Sequence, residues 1–210
     1  MYVRLKHALS ALALEAIRRP SRGVHRDAAV WLAAFCDVAG RQPGGPAAGQ
    51  PLSVVARRAR LLGARGRAAL PWILREGLLV RRDGLVHLPD GFQPHFAYLD
   101  RQTHRLAAAL RRLAARPPAR GRAGAIRRGL VLLDAGLFFE CHEYFEEIWR
   151  RAPWGERDFY RGIIHIAAGL YHCEKGNAHG ARTKLASGMR LLAGFQQARQ
   201  PAEAPPGEVR

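Results

Sequence analysis

Eleven consecutive residues, Phe139-Glu140-Cys141-His142-Glu143-Tyr144-Phe145-Glu146-Glu147-Ile148-Trp149, hold four carboxylates and an imidazole, and no Lys or Arg follows until Arg150. On a helix turning about 100° per residue, Phe139, His142, Glu143, Glu146 and Trp149 fall within about 120° of one another. A surface helix sets its charges opposite its aromatics, so a mixed face implies carboxylates and an imidazole held partly out of water. His142 and Glu146 stand four residues apart, a spacing at which two side chains reach one metal ion, as on an H-E-x-x-H helix, although Glu replaces the second His here. A Zn²⁺ or Mn²⁺ ion in such a place would supply a Lewis acid and an activated water, with Glu143 as candidate catalytic base. The competing reading is a salt-bridge network. There Arg127, Arg128, Arg150 or Arg161 compensate the carboxylates, with the histidines protonated against the glutamates.

His165 and His172 lie seven residues apart further on, within about 20° of one another on a helix and separated by about 10.5 Å along its axis. Gly162 and Gly169 keep the same register beside them and would let a neighbouring helix approach closely. Both imidazoles reach one ion only by leaning inward, so one serves as ligand and the other stands behind it, or each serves a separate group. The metal ligands expected here are His142, Glu146 and His172. Glu140, His165, Trp149 and Arg150 are the expected supporting or ligand-binding residues. Trp149 also reads as core, and Cys141 and Cys173 as ordinary small buried residues.

These residues carry a resemblance. Leu133-Asp134-x-Gly136-x-Phe138-Phe139-Glu140-x-His142-Glu143-x-x-Glu146-x-x-Trp149-Arg150, then Gly162-Ile163-Ile164-x-x-Ala167-Ala168 with His172, then Asn177-x-x-Gly180-Ala181, resembles the domain-of-unknown-function family 309. It covers roughly residues 124–194, about a third of the chain. The resemblance implies an all-helical fold and a metal-dependent hydrolase, a label the family itself bears by inference. It carries the family's polar positions onto Glu140, His142, Glu143, Glu146 and His172. His165 departs from the glutamine usual at its position, and Phe145 from the usual aliphatic residue.

The elements that must position these side chains are four helices, at about 124–134, 138–151, 156–175 and 177–194. Asp134-Ala135-Gly136, Pro153-Trp154-Gly155 and Gly176-Asn177 break them. Such short connections make sequential helices antiparallel neighbours in a small bundle. Upstream, residues 2–18, 27–39 and 98–115 read as amphipathic helices with apolar residues three or four apart, and Gly40–Pro51 as a loop. Two short helical segments, 54–61 and 64–76, precede Leu78-Leu79-Val80-Arg81-Arg82-Asp83-Gly84-Leu85-Val86-His87-Leu88. Asp-Gly between alternating apolar runs is a strong hairpin signal, because a type I′ turn needs positive φ at both central residues.

Helix, helix and hairpin together resemble a winged helix-turn-helix, whose second helix enters the major groove and whose hairpin touches backbone. Arg57, Arg58, Arg65 and Arg67 on the helices, with Arg81 and Arg82 on the wing, are the candidate nucleic-acid contacts. The other reading is a winged helix used only for packing. Pro71 obliges the second helix to begin late or kink. The fold expected is therefore mainly α, a small C-terminal helical bundle preceded by a winged-helix-like domain with one β-hairpin. Its parts are a basic domain 1–116, a linker 117–123 through Pro117-Pro118, the bundle 124–194 and a disordered tail 195–210.

Composition bounds the rest. A chain of 210 residues, 48% hydrophobic and 24% charged, is not disordered as a whole. Three scattered cysteines do not make a disulfide scaffold and fit a reducing compartment, so a cytoplasmic protein is expected. Arg4, Lys6 and His7 before Ala8–Ala13 resemble a signal peptide only until Glu15. No uninterrupted stretch of about 18 apolar residues predicts a membrane span. Residues 1–120 hold 21 Lys and Arg against 7 Asp and Glu, or +14, whereas residues 121–210 hold 13 against 10, or +3. A basic first half suits DNA or another polyanion. All the cations except Lys6, Lys175 and Lys184 are arginine, a bias that a GC-rich coding sequence also produces and that lowers the meaning of any single one. No glycine-rich phosphate loop, G-x-S-x-G elbow or paired C-x-x-C is present. Two functions follow: a metal-dependent hydrolase whose basic domain positions a polyanionic substrate, or a DNA-binding regulator whose bundle senses a ligand or forms a homodimer.

Overall fold

Glycine and proline set the helix ends in the computed structural model, which describes residues 1–42 and 44–198. Pro20 follows α1 (Tyr2–Arg18), and Gly23, at φ +122°, opens α2 (Val24–Ala39) three residues before the expected start. The other helices of the first part are α3 (Leu52–Leu61), α4 (Ala69–Arg75), α5 (Phe96–Ala115) and α6 (Gly121–Asp134). Then follow α7 (Phe138–Arg151), α8 (Trp154–Glu174) and α9 (Ala178–Gln197). Short 3₁₀ turns occupy Gly45–Ala47 and Asp90–His95. The fold is mainly α with one small three-stranded antiparallel sheet. Among the described residues no helix is long and apolar enough to cross a membrane.

Contacts divide the chain into two compact units, Met1–Glu140 and the part from Cys141 onward. The proline-bearing connection 117–123 lies within the first, and α6 already begins inside it at Gly121. Helix α2 is the centre of the first unit. Ala28, Ala29, Val30, Leu32, Ala33, Ala34, Phe35, Cys36 and Ala39 are all buried, an apolar surface too wide for one neighbour. It packs accordingly on α1, α3, α4 and α5.

The expected hairpin is present. β2 (Val80–Arg82) and β3 (Leu85–His87) pair antiparallel across Asp83 and Gly84, whose φ values of +50° and +78° meet the type I′ demand. A strand not expected, β1 (Gln50–Pro51), pairs with the other edge of β3 and gives the order β1-β3-β2. Pro51 fits this edge strand, where its missing N–H breaks no ladder.

Helix α4 corrects the expected segment 64–76. Pro71 is its third residue, so the helix begins only at Ala69, with the ring in the first turn where no intrahelical donor is lost. Arg65 and Arg67 therefore lie in the connection before the helix and not on it.

In the second unit α8 and α9 are antiparallel and very close. A Cβ built on Gly162 would stand 2.7 Å from Leu192 Cγ, one on Gly169 2.7 Å from Leu185 Cγ, and one on Gly188 2.8 Å from the Gly162 carbonyl oxygen. The glycine register does admit a neighbouring helix, and that helix is α9. Gly176, at φ +71°, closes the connecting turn, with the Asn177 amide donating back to the His172 carbonyl at 2.9 Å. On α7, Phe145 is fully buried and its ring lies 6.2 Å from that of Tyr160 on α8. Of the expected tail 195–210, residues 195–197 belong to α9 and residues 199–210 lie outside the described residues.

Candidate metal centre

Helix α7 is placed by the turn before it. Gly136, at φ +75°, lets the Leu137 amide return to the Leu132 carbonyl at 2.9 Å, and Arg105 Nη1 donates to the Gly136 carbonyl at 3.0 Å. The helix starts at once and its periodicity does the rest. His142, Glu143 and Glu146 bring one ligand atom each to within 4.8 Å of one another, all three partly buried. Donors about 2.1 Å from a tetrahedral ion stand about 3.4 Å apart, so small side-chain rotations would close this set on a cation. One imidazole and two carboxylates are a borderline-to-hard donor set, suited to Zn²⁺ or Mn²⁺. The residues fit such an ion.

Present contacts within the group are few. His142 Nδ1 lies 3.2 Å from Glu143 Oε1, and Arg150 Nη2 lies 3.2 Å from Glu146 Oε1 along the helix. Among the described residues His142 Nε2 has no hydrogen-bond partner. The Arg150 side chain is 65% exposed. Trp149, on the same face, has its Nε1 buried without an acceptor, and the Arg157 guanidinium lies 5.8 Å from its ring.

The two histidines of α8 go different ways. His165 Nδ1 meets Ser187 Oγ of α9 at 3.0 Å. Burial lowers its proton affinity first, and the charges of Lys184, Arg161 and His142 add to that. These causes favour its neutral imidazole form, and they place His142 among its near neighbours. His172 Nδ1 accepts from Asn177 Nδ2 at 3.2 Å, while Asn177 Oδ1 accepts from the Gly180 amide at 2.9 Å and caps α9. His172 therefore fastens the α8–α9 turn and does not join His142, Glu143 and Glu146. Glu143, expected only as a base, stands among the possible ligands instead. The Gly162/Gly169 face, expected to admit a neighbouring helix, is filled by Leu185 and Leu192 of α9. Glu140 is 2% exposed in the first unit, lining a small cavity with Gln102 and Thr103. Ser187 was not foreseen as a partner, since only the register of α9 against α8 reveals it.

Of the expected nucleic-acid contacts, Arg57, Arg65, Arg67, Arg81 and Arg82 are exposed. Arg58 is not free, because its guanidinium holds Asp37 Oδ2 at 2.5 Å. Asp37 belongs to a cluster that no local motif announces. His104 Nε2 lies 2.9 Å from Asp37 Oδ1, and His104 Nδ1 lies 2.8 Å from the Asp100 carbonyl oxygen and 3.0 Å from its carboxylate. Burial opposes the imidazolium, but those contacts outweigh it and raise the proton affinity of His104. Burial likewise raises Asp37, yet hydrogen bonds from His104 and Arg58 leave its carboxyl below the ordinary range. The Cys36 thiol beside them is pushed far up by burial.

Comparison with known proteins adds two matches, of which the family match lies on the part that carries the centre. A 56-residue stretch is 39% identical to the uncharacterized protein YpuF of Bacillus subtilis (strain 168), covering 26% of this chain and 32% of that protein. The chain thus spans about a third of the curated relative it matches. No solved structure matches. Residues 126–183, which include His142, Glu143, Glu146, His165 and His172, match the domain of unknown function DUF309.

Proposed function

We propose that the α7 centre binds a divalent metal ion, Zn²⁺ or Mn²⁺, and that the protein is a metal-dependent hydrolase. What carries this reading is the convergence of three ligand atoms within 4.8 Å on one helix face. His142 and Glu146 would hold the ion, with Glu143 as third ligand or as base. Three protein donors leave coordination positions for water and substrate, and a bound ion would supply a Lewis acid and a water of lowered pKa. The chain's own groups have separate tasks. The His142 Nδ1–Glu143 contact orients the ring and leaves Nε2 available. His165, held through Nδ1 by Ser187 and with its proton affinity lowered by burial, would face the centre's neighbourhood as a hydrogen-bonding imidazole and not as an added positive charge. Arg150 neutralises Glu146 until an ion replaces it. Elemental analysis of the purified full chain, before and after chelation, tests the proposal. About one Zn or Mn per chain in wild type and little in His142→Ala supports it, whereas equal metal content in both sinks it.

A second reading rests on the first unit. Helices α2, α3 and α4 with the sheet β1-β3-β2 have the order of a winged helix, and the unexpected strand β1 supports this more than the hairpin alone. Exposed Arg57, Arg65, Arg67, Arg81 and Arg82 would then meet phosphates of DNA or another polyanion, either to position the hydrolase's substrate or to make the protein a regulator. Binding of a DNA duplex should fall linearly on a log-log salt plot, and Arg65→Ala with Arg67→Ala should lower its slope by about two. No binding even at low salt leaves the winged helix as a packing module.

A further inference from the structure

The stretch Arg18-Arg19-Pro20-Ser21-Arg22-Gly23-Val24-His25-Arg26 reverses the chain between α1 and α2 and in doing so builds a basic cup. Its cavity, of about 240 Å³, is lined by Glu15, Arg18, Arg19, Arg22 and the first residues of α2 from Gly23 to Arg26. Four guanidiniums share this space with one carboxylate, and that carboxylate, Glu15, is bonded to Arg18. Arg26 is fixed in place by Asp27 Oδ1 at 2.6 Å and by the Gly63 carbonyl, while its buried Nε has no partner. Arg19 and Arg22 are exposed and make no ion pair among the described residues. Arg19 and Arg22 thus add positive charge without an ion pair to a concavity whose other two guanidiniums are paired, and an anion would relieve the potential this concentrates.

The geometry points to a phosphate-binding site in this cup. Arginine forks match the oxygens of a phosphate group in a way that chloride cannot use. The first turn of α2 agrees with this: no side chain caps it, and a Cβ on Gly23 would meet nothing within 4 Å, so an oxyanion can approach those amides. His25 lies with its ring 5.1 Å from Trp72 on α4, which joins the cup to the helix–helix–hairpin region. The ligand is a phosphate group, carried by a small phosphomonoester or by a nucleic-acid backbone. The site needs neither the metal centre nor the exposed arginines of the hairpin.

The test uses the full chain and three probes at matched ionic strength: inorganic phosphate, a 5′-mononucleotide and a short DNA duplex, with chloride as reference. Wild type should bind at least one probe saturably, and Arg19→Ala with Arg22→Ala, both exposed and without structural partners, should weaken that binding about tenfold. Arg81→Ala with Arg82→Ala should leave inorganic phosphate binding unchanged. Loss for phosphate and mononucleotide marks a site for a small phosphomonoester; loss for the duplex alone marks a backbone contact. Binding of every probe that is equal in wild type and in the Arg19/Arg22 variant, or no binding beyond chloride, overturns the proposal.

Discussion

Two clusters of carboxylate and imidazole in this molecule use the same residue types to opposite ends. Asp37, His104, Asp100 and Arg58 come from α2, α5 and α3, and they satisfy one another: both ring nitrogens of His104 face acceptor oxygens, and both oxygens of Asp37 face donors. His142, Glu143 and Glu146 come from one helix, converge on one another and leave Nε2 of the ring open. A cluster drawn from three helices and closed by its own cations ties a fold together. A cluster with valence to spare is what a ligand can complete. The difference lies in what arrives from other elements, and that is why residue types alone did not separate site from scaffold.

The sharpest way to break this contrast is to remove one carboxylate from each side. Asp37→Ala leaves Arg58 and His104 without their shared acceptor at a site where the Asp37 side chain is only 15% exposed. It should cost about 2–3 kcal/mol in chemical denaturation. Glu146→Gln in metal-free protein should cost less than about 1 kcal/mol, because its partner Arg150 lies in solvent. Equal losses would mean that both clusters are structural.

A smaller effect should appear with pH. His104 has a raised proton affinity, so its contribution is fully present below about pH 6.5 and fades as pH rises through its folded-state value. Asp37 is depressed, so its contribution is present above about pH 4 and fades as pH falls through its own folded-state value. The stability difference between wild type and His104→Gln should therefore be greatest between about pH 4 and 6.5 and should shrink on the alkaline side. A difference that grows above pH 7 would contradict the assigned charge states. The smallest effect belongs to Arg150→Ala. Loss of an exposed ion pair leaves stability within about 0.5 kcal/mol, while removing the competitor for Glu146 should tighten metal binding rather than weaken it.

Much of this was legible in the chain, and the rest was not for definite reasons. The α7 cluster could be read because its members share one helix and a fixed period. The hairpin could be read because Asp83-Gly84 has a single favoured turn, whereas Pro71 left open whether α4 begins late or kinks, and only the structure shows the start at Ala69. The Asp37 cluster could not be read, since its partners lie 21 and 67 residues away. Strand β1 is two residues long and carries no period of its own. The glycine stripe of α8 was read as a close approach, yet only packing tells that Leu185 and Leu192 of α9 fill it. For the same reason His165 and His172 could be placed on one face but not given their partners, Ser187 and Asn177.

The central claim, that the α7 cluster is open to a metal while the Asp37 cluster is closed, rests most directly on one comparison. Thermal unfolding of the chelator-stripped full chain is followed with rising Zn²⁺ or Mn²⁺ in wild type, His142→Ala, Glu146→Gln and Asp37→Asn. The account predicts a saturable rise in Tm for wild type and for Asp37→Asn from its lower baseline, with at least about a tenfold higher metal concentration needed in the His142 and Glu146 variants. No rise in wild type, or a rise of the same midpoint in His142→Ala and Glu146→Gln, would contradict it.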